Sequence, residues 1–275
     1  PHDPYYVPEE FINQYSLDDI ELPKSFSDKM LDKPAFYRRT RDRFEQLSDQ
    51  EHKESIRHYL AYCTYVDSLL GKVMDTLETN GQTEDTIILF TSDHGDYMAE
   101  HGIWAKGLPC FDSGYEIPFI MSYKDFNNER IIDNFVSITD FCPTLYDLIG
   151  IKEVPKTSGA SLVGFLNGNQ PKEWRDTLYT QSNGNELFGI QRSVKTDKWK
   201  LVFNGFDYDE LYDMENDPDQ MVNLIADKAM KAQYQDVLFE LYHKLWKFAY
   251  QHNDNCISEY IMTGLAEYGP GLAFS

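Results

Sequence analysis

A regular spacing of apolar residues in the first third of the chain constrains the fold more than any other feature. Apolar side chains recur there at three- and four-residue intervals, at Ile56, Leu60, Cys63, Val66, Leu70, Val73 and Leu77. This spacing places them on one face of an α-helix. Ser48 followed by Glu51 matches a capping box, and Asn80-Gly81 is typical of a helix end. We therefore predict one long helix from about residue 49 to residue 79.

Continuous apolar runs follow the predicted helix. Residues 86–91 read Thr-Ile-Ile-Leu-Phe-Thr, and residues 118–122 read Pro-Phe-Ile-Met-Ser. Uninterrupted runs of this kind are typical of strands buried on both faces of a parallel sheet. A second helix is predicted from Pro143 to Leu148, closing at Gly150. The alternation of helix and strand predicts an α/β fold, with a mixed, largely parallel sheet flanked by helices.

The pattern changes beyond about residue 160. Short polar-flanked runs at residues 177–181, 189–196, 199–203 and 210–213 predict a small antiparallel sheet. Helical periodicity returns over residues 223–250, and the tail from Gln251 is expected to be irregular. The proline-rich first 47 residues predict a loop with one or two short helices. We assign residues 1–160 to an α/β domain and residues 161–275 to a C-terminal α+β subdomain.

The charge balance argues against one class of partner. The chain has 46 acidic and 25 basic residues, a formal net charge of −21. Nucleic acid is not an expected partner, because binding phosphates requires clustered Lys and Arg. No apolar run approaches the length of a membrane span. The four cysteines, which we expect to be buried thiols without metal or disulfide spacing, are Cys63, Cys110, Cys142 and Cys256.

The tripeptide Asp93-His94-Gly95 is the first candidate for a functional site. It follows the 86–91 run, and ligands of open α/β sheets bind just beyond the carboxyl ends of strands. A carboxylate beside an imidazole suits a divalent cation, and Gly95 would allow a tight turn. The alternative is structural: Asp93 caps the next helix, and His94 is a packed histidine.

Two cationic residues are further candidates. Lys106, flanked by Trp104 and small residues, is suited to be a buried point charge that meets an anion. His2 lies in a stretch stiffened by Pro1 and Pro4, which would present its imidazole to a site. Taken alone, a lysine is more often a solvated surface charge, and a lone loop histidine is more often structural.

Seven segments of the chain resemble, in the same order, those of formylglycine-dependent sulfatases of the alkaline phosphatase superfamily. Residues 1–5 resemble the PHxPY segment, residues 86–95 the TIxxFTSDHG strand and metal loop, and residues 96–107 the GExHGxWxKG segment. The other four segments, the last of which is similar to ELYDxxxDPxxxxNL, are residues 136–145, 159–162, 196–201 and 210–224. Each motif alone is weak, but seven in order are specific.

The resemblance implies an alkaline-phosphatase-like fold and a role for four residues. Asp93 and His94 correspond to two protein ligands of a single divalent cation, usually calcium, although calcium prefers oxygen ligands. His2 and Lys106 correspond to catalytic residues that hold the sulfate oxygens, and His2 also to a group that assists the leaving group. Residues 1–160 would then be the C-terminal part of the family's catalytic domain.

The family's nucleophile has no counterpart in these 275 residues. It is a Cys or Ser converted to formylglycine within C/S-x-P/A-x-R, and no Cys or Ser here fits. Cys142 is followed by Pro143 but has no Arg at the required position. The formylglycine and the paired aspartates of the family's first strand are expected N-terminal to Pro1. We therefore expect this polypeptide alone to have no turnover.

Three functions follow as hypotheses. The first is hydrolysis of a small-molecule or saccharide sulfate ester, the alcohol being a sugar, an aryl group or a similar compound. The second is a metal-dependent phosphodiesterase or phosphonate hydrolase of the same superfamily, which would need further Asp and His ligands. The third is a non-catalytic binding domain. Neither the oligomeric state nor the cellular compartment has a signal in the sequence.

Overall fold

The computed structural model describes residues 1–126, 130–153, 155–184, 188–258 and 267–271. The chain divides into two compact units, Pro1–Lys124 and Asp125–Ser275, and each is described by itself. The domain boundary predicted near residue 160 is a different division and stays a prediction. In the described part of the chain, no helix combines the length and the hydropathy that a membrane span needs.

The first unit contains four α-helices and a short two-stranded sheet. Its helices are α1 (Glu9–Ile12), α2 (Ala35–Asp42), α3 (Asp49–Thr79) and α4 (Asp112–Tyr115), and its strands are β1 (Ile88–Thr91) and β2 (Phe119–Ser122). Single 3₁₀ turns lie at Leu17–Asp19, Lys24–Ser27, Thr83–Asp85 and Glu100–Gly102. The short helices α1 and α2 confirm the prediction for the first 47 residues, which also contain two of these 3₁₀ turns.

The long helix α3 confirms the prediction made from its apolar spacing and caps. The Ser48 hydroxyl accepts a hydrogen bond from the Glu51 N–H, and the Glu51 carboxylate accepts one from the Ser48 N–H at 2.8 Å. The helix ends at Thr79 with Asn80 as its C-cap, and Gly81 follows with φ +65°. Ile56 is buried in its first half, whereas Val73 in the second half is exposed. The apolar face is thus covered only in part.

Strands β1 and β2 pair antiparallel, with Ile88 opposite Ser122 and Thr91 opposite Phe119. Every residue of β1 is half-buried, and β2 alternates half-buried and exposed positions. The prediction of two strands is confirmed, but burial on both faces of a parallel sheet is not found for this pair. An apolar run indicates extended backbone, whereas strand direction and coverage depend on contacts distant in sequence.

The second unit is an antiparallel sheet with a helical layer. Its strands, in the spatial order β3-β4-β5-β6, are β3 (Leu178–Gly184), β4 (Phe188–Lys195), β5 (Trp199–Asn204) and β6 (Glu210–Asp213). Its helices are α5 (Phe141–Leu148), α6 (Val163–Leu166), α7 (Lys228–Lys231), α8 (Gln235–Gln251) and α9 (Asn255–Ser258), with 3₁₀ turns at Ile138–Asp140 and Ala232–Tyr234. The predicted antiparallel sheet is confirmed.

The core of the second unit lies between this sheet and α8. Leu238, Leu241 and Trp246 of α8 are buried together with Val194 and Leu201 of the sheet. The helix predicted over residues 223–250 begins later, at Lys228, and is divided by the 3₁₀ turn before α8.

The segment 210–224, which resembles a family signature, has a folding role. The Asn223 amide oxygen accepts the N–H groups of Leu211 and Ile225, each at 3.1 Å. The Glu210 carboxylate, which is buried, accepts hydrogen bonds from the Asn204 amide at 2.8 Å and from the Tyr212 hydroxyl. These bonds fix the turn after β6 and place no group at a site.

The exposure of two cysteines and a helix in the C-terminal tail differ from the predictions. Cys110 is buried, but Cys142 and Cys256 are exposed, so the prediction of buried thiols is wrong for those two. Apolar neighbours in sequence do not determine which face of a short helix is covered. The tail predicted to be irregular includes α9, and residues 259–266 and 272–275 lie outside the described residues.

Candidate functional site

The four predicted site residues all lie in the first unit, on three separate stretches of chain. The His2 Nε2 atom is in direct hydrogen-bond contact with the Lys106 Nζ atom. The His2 and His94 rings meet edge to face with their centroids 6.4 Å apart. Asp93 Oδ2 lies 3.6 Å from His94 Nε2. Residues 104 positions apart in sequence are thereby brought to one place.

The hydrogen bonds of His2 indicate which ring nitrogen carries a hydrogen and which one accepts from Lys106. Its Nδ1 lies 2.7 Å from the backbone oxygen of Asp3 and 3.2 Å from the Asp3 carboxylate. A carbonyl oxygen can only accept, so Nδ1 carries the hydrogen. Because the Lys106 ammonium can only donate, Nε2 accepts from it.

His94 is oriented in the same way. Its Nδ1 lies 2.8 Å from the backbone oxygen of Gly95, so Nδ1 donates and, in the neutral imidazole, Nε2 keeps its lone pair. That lone pair is on the nitrogen that faces the Asp93 carboxylate. Fixing one ring nitrogen by a carbonyl is how metal-binding histidines are commonly oriented. The pair therefore offers one nitrogen and one oxygen to a shared cation.

The Asp93 carboxylate is suited to remain ionised. A slight loss of solvation acts to raise the pKa of Asp93, but the charge that His94 carries when protonated and hydrogen bonds from backbone N–H groups outweigh it and lower the pKa. One of these is the His94 N–H, 3.0 Å from Asp93 Oδ1. No helix begins here, and the Asp93 side chain is 84% exposed, so the alternative role as a helix cap is not found.

The donor set defines what this chain contributes to a cation site. Among the described residues, no group of three or more His, Cys, Asp or Glu side chains lies close enough to hold a metal ion. Calcium takes six to eight oxygen ligands, and imidazole is more usual for zinc or other transition metals. Asp93 and His94 fit such a site as two ligands of an incomplete shell.

Gly95 is required by a close backbone approach and not by the tight turn that the sequence suggested. A Cβ added to Gly95 would lie 1.9 Å from the backbone oxygen of Ser113. The Gly95 N–H donates to the Gly114 oxygen at 3.1 Å. The φ of Gly95 is not in the left-handed region, so its backbone conformation does not itself require glycine. The loop thus rests directly on α4.

The loop between Gly95 and Lys106 is held in an unusual backbone conformation. Four of its non-glycine residues have positive φ angles, namely Met98 (50°), Ala99 (70°), His101 (50°) and Ala105 (66°). Such residues cost free energy, persist only where their surroundings fix them, and cluster at functional sites. The surroundings here are the packed Trp104, whose indole donates to His52 at 3.0 Å, and the carboxylates described next.

Sequence reasoning missed two residues that organise this loop. Asp96 accepts hydrogen bonds from the Tyr5 hydroxyl at 2.8 Å and from the N–H groups of Met98 and Ala105 at 3.0 and 3.2 Å. Asp28, far away in sequence, lies 2.8 Å from the buried His101 ring. Asp96 could have been identified because it lies, like His101, inside the 96–107 motif. Asp28 lies in no motif, so no sequence feature indicated it.

The comparison with known families decides to which family the chain belongs. Residues 1–151 match the sulfatase family, and residues 99–251 match the C-terminal part of N-sulphoglucosamine sulphohydrolase. The chain belongs to the sulfatase family. The resemblance drawn from its motifs is confirmed, and it covers both units.

Individual sulfatases and related structures are similar along most of the chain. The N-acetylglucosamine-6-O-sulfatase of Bacteroides thetaiotaomicron is 30% identical over 233 residues, which are 80% of this chain and 40% of that protein. A structure solved with its substrate D-glucosamine-2-N,6-O-disulfate is 27% identical, with a TM-score of 0.65 over 80% of this chain and 46% of that chain. The phosphonate monoester hydrolase of Agrobacterium radiobacter is 24% identical, with a TM-score of 0.76 over 89% of this chain and 55% of that chain.

These similarities confirm the fold class predicted above, an alkaline-phosphatase-like α/β fold with a C-terminal antiparallel sheet. The likeness to the phosphonate hydrolase is below 25% identity and concerns the fold alone. This sulfatase chain spans between 34% and 48% of the length of the curated relatives that it matches.

Proposed function

We propose that this chain supplies part of the active site of a hydrolase that cleaves sulfate esters, with His2 and Lys106 as catalytic residues. The observation that carries the proposal is the contact between the His2 imidazole and the Lys106 ammonium, beside His94. Two cation-forming groups at one point, in a chain of the sulfatase family, suit the sulfuryl oxygens of a bound ester.

The chemistry follows from the hydrogen bonds of the two side chains. A bound sulfuryl oxygen would accept from the Lys106 ammonium in place of His2 Nε2. His2 Nε2 would then be free to take up a proton from solvent and to donate it to the departing alcohol oxygen, while Asp3 keeps the Nδ1 proton in place. Preorganised positive charge of this kind is usually a large term in catalysis, because it stabilises charge that develops in the transition state.

A divalent cation, with calcium as the first candidate, would be held in part by Asp93 and His94. When bound, it would supply further positive charge to the sulfuryl group. The oriented Nε2 of His94 and the ionised Asp93 carboxylate support the ligand assignment. The mixed nitrogen and oxygen pair leaves calcium and a transition metal to be separated by metal analysis of the purified full-length protein.

A sulfated amino sugar is the substrate class that we infer first. One similar protein is named for N-acetylglucosamine-6-O-sulfate, and another was solved with D-glucosamine-2-N,6-O-disulfate as its substrate. Assaying the full-length protein on sulfated saccharides, aryl sulfates and phosphonate esters tests this directly. Preference for a phosphonate ester together with two bound zinc ions would favour the alternative function.

The role of Lys106 has its own test in the full-length protein. Lys106→Ala should lower kcat/KM for the preferred sulfate ester by about a hundredfold or more, since one oxyanion-stabilising group is removed. The matched control is Lys72→Ala, which removes an exposed lysine from α3 and should leave the rate unchanged. Turnover of Lys106→Ala close to that of the control would refute the role.

We further propose that the 275-residue polypeptide by itself has no turnover, because none of its cysteines or serines lies in a formylglycine motif. Purified residues 1–275 and the full-length protein should be assayed side by side on the same ester. The shorter polypeptide is expected to be inactive even when folded, as judged by circular dichroism. Measurable catalysis by it would mean that a group within these residues acts as the nucleophile.

A further inference from the structure

Three stretches of chain meet at the candidate site, and their relative positions must be fixed by something other than the backbone. His2 lies in the first five residues, His94 follows β1, and Lys106 lies at the end of the strained loop. Displacements of about 1 Å at a catalytic group can cost a hundredfold in rate. A residue that contacts all three stretches would therefore control the geometry.

Asp96 is such a residue. It follows His94 by two positions, and its Oδ1 accepts the N–H of Ala105, the residue before Lys106, at 3.2 Å. Its Oδ2 accepts the hydroxyl of Tyr5, three residues after His2, at 2.8 Å. One carboxylate thus joins the loop of Lys106 to the segment of His2.

Tyr5 is itself held firmly, so that this contact can fix a position. Its ring packs edge to face on Tyr59 at 5.4 Å and lies 6.4 Å from Trp104, while its backbone oxygen is 3.3 Å from the His58 ring. Burial and the Asp96 carboxylate raise the pKa of Tyr5, which keeps the hydroxyl protonated as the donor. Both ends of the bond are therefore anchored.

We propose that Asp96 is a positioning residue of this site, which sets the distance between His2 and Lys106 through the Tyr5 hydroxyl. Neither Asp96 nor Tyr5 contacts Lys106 Nζ or the His2 ring among the hydrogen bonds of the described residues. Their effect passes through backbone position. The expected effect of Asp96 on catalysis rests on the proposed function, whereas the hydrogen bond between Asp96 and Tyr5 does not.

The test compares Tyr5→Phe, Asp96→Ala and Asp96→Asn in the full-length protein with Tyr15→Phe. Tyr15 is the matched control, because its hydroxyl also makes one long-range side-chain hydrogen bond, at 2.6 Å from the Thr64 hydroxyl of α3, and this bond does not involve a site residue. Tyr5→Phe should lower kcat about tenfold with little change in KM, at a melting temperature like that of the control. Asp96→Ala should lower kcat further.

Two further variants distinguish a positioning role of Asp96 from a general effect on stability. Asp96→Asn should recover most of the kcat lost in Asp96→Ala, since its amide oxygen still accepts the Ala105 N–H. The double variant Tyr5→Phe/Asp96→Ala should be no slower than Asp96→Ala alone, because the two act through one bond. Equal kcat values for Tyr5→Phe and Tyr15→Phe, or multiplicative losses in the double variant, would overturn the proposal.

Hydrogen exchange provides a readout that does not depend on catalysis. Asp96→Ala should speed exchange in residues 96–107 and also in residues 1–7, and Asp96→Asn should speed it less in both. Faster exchange confined to residues 96–107 would overturn the link to His2. If the unaltered full-length protein hydrolyses no sulfate ester, the proposed function fails, while this exchange pattern still decides the positioning role.

Discussion

At the scale of single residues, the site depends on small residues that allow close contacts as well as on charged side chains. Gly95 lies so close to α4 that no larger residue fits, and Gly102 faces the Arg41 side chain, 2.9 Å from where a Cβ would be. Asp93 and His94 immediately precede this contact. Gly95 therefore determines where Asp93 and His94, the two predicted metal ligands, lie relative to the rest of the first unit.

The contact at Gly95 leads to a prediction about stability. Gly95→Ala should lower the free energy of unfolding by about 3 kcal/mol, because its Cβ would overlap the Ser113 backbone oxygen and force the loop away from α4. Gly71→Ala is the control, since nothing lies within 4 Å of the added Cβ on α3 and alanine favours a helix. Urea unfolding measures both. A Gly95→Ala protein as stable as Gly71→Ala would contradict the structure.

At the scale of elements, a buried polar network joins the segment after the Lys24–Ser27 turn to the Glu100–Gly102 turn. Asp28 accepts hydrogen bonds from the Lys33 ammonium at 3.0 Å and from the Met30 N–H at 2.8 Å, and contacts His101. The His101 ring also stacks on Phe111 at 3.8 Å. Lys33 and His101 are both buried, so their polar groups need these partners.

The network predicts an acid-dependent loss of stability. Burial acts to raise the pKa of Asp28, but the hydrogen bond from His101 and the charge of Lys33 outweigh it and lower the pKa to about 2. A depressed folded-state pKa adds stability that is present above the unfolded value near 4 and disappears as the pH falls through about 2. For a shift of this size the contribution is about 2 kcal/mol.

Unfolding by urea between pH 6 and pH 2.5 measures this contribution. Asp28→Asn should be less stable than the unaltered chain at pH 6, and the difference should shrink as the pH falls below 4. Asp67→Asn, which alters an exposed carboxylate on α3, should follow the unaltered chain throughout. A difference between Asp28→Asn and the unaltered chain that is constant with pH would show that the Asp28 charge has no part in stability.

At the scale of the whole molecule, the dominant property is the excess of negative charge. The net charge of −21 arises from 46 acidic residues against 25 basic ones. Charges of one sign repel one another in the compact state and destabilise it. His2 and Lys106 at the candidate site are exceptions to this excess of acidic residues.

The charge excess predicts that salt stabilises the chain. Its melting temperature should rise as NaCl increases from 0.02 to about 0.5 M at pH 7, because the screening length shrinks well below 10 Å and weakens the repulsion. Near pH 4.6, the isoelectric point given by composition, the same increase in salt should have little effect. Scanning calorimetry at both pH values tests this. A melting temperature that falls with salt at pH 7 would show that attractive ion pairs outweigh the repulsion.

Much of the local structure could be predicted from the sequence because its causes are local. The caps of α3 act within four residues of Ser48 and Asn80, and the strands β3 to β6 are delimited by their own turns. The candidate site residues His2, Asp93, His94 and Lys106 were found through the order of motifs, which indicates the family without giving their geometry.

Only the tertiary structure decided which distant groups meet. The antiparallel pairing of β1, the burial of Asp28 against His101, and the bonds from Asp96 to Tyr5 all join residues separated by at least 28 positions. Such contacts depend on loop closure and on competition among many partners, neither of which has a local period or spacing. The sequence thus determined the long helix α3, the strands and the family, and folding determined the arrangement that the candidate chemistry needs.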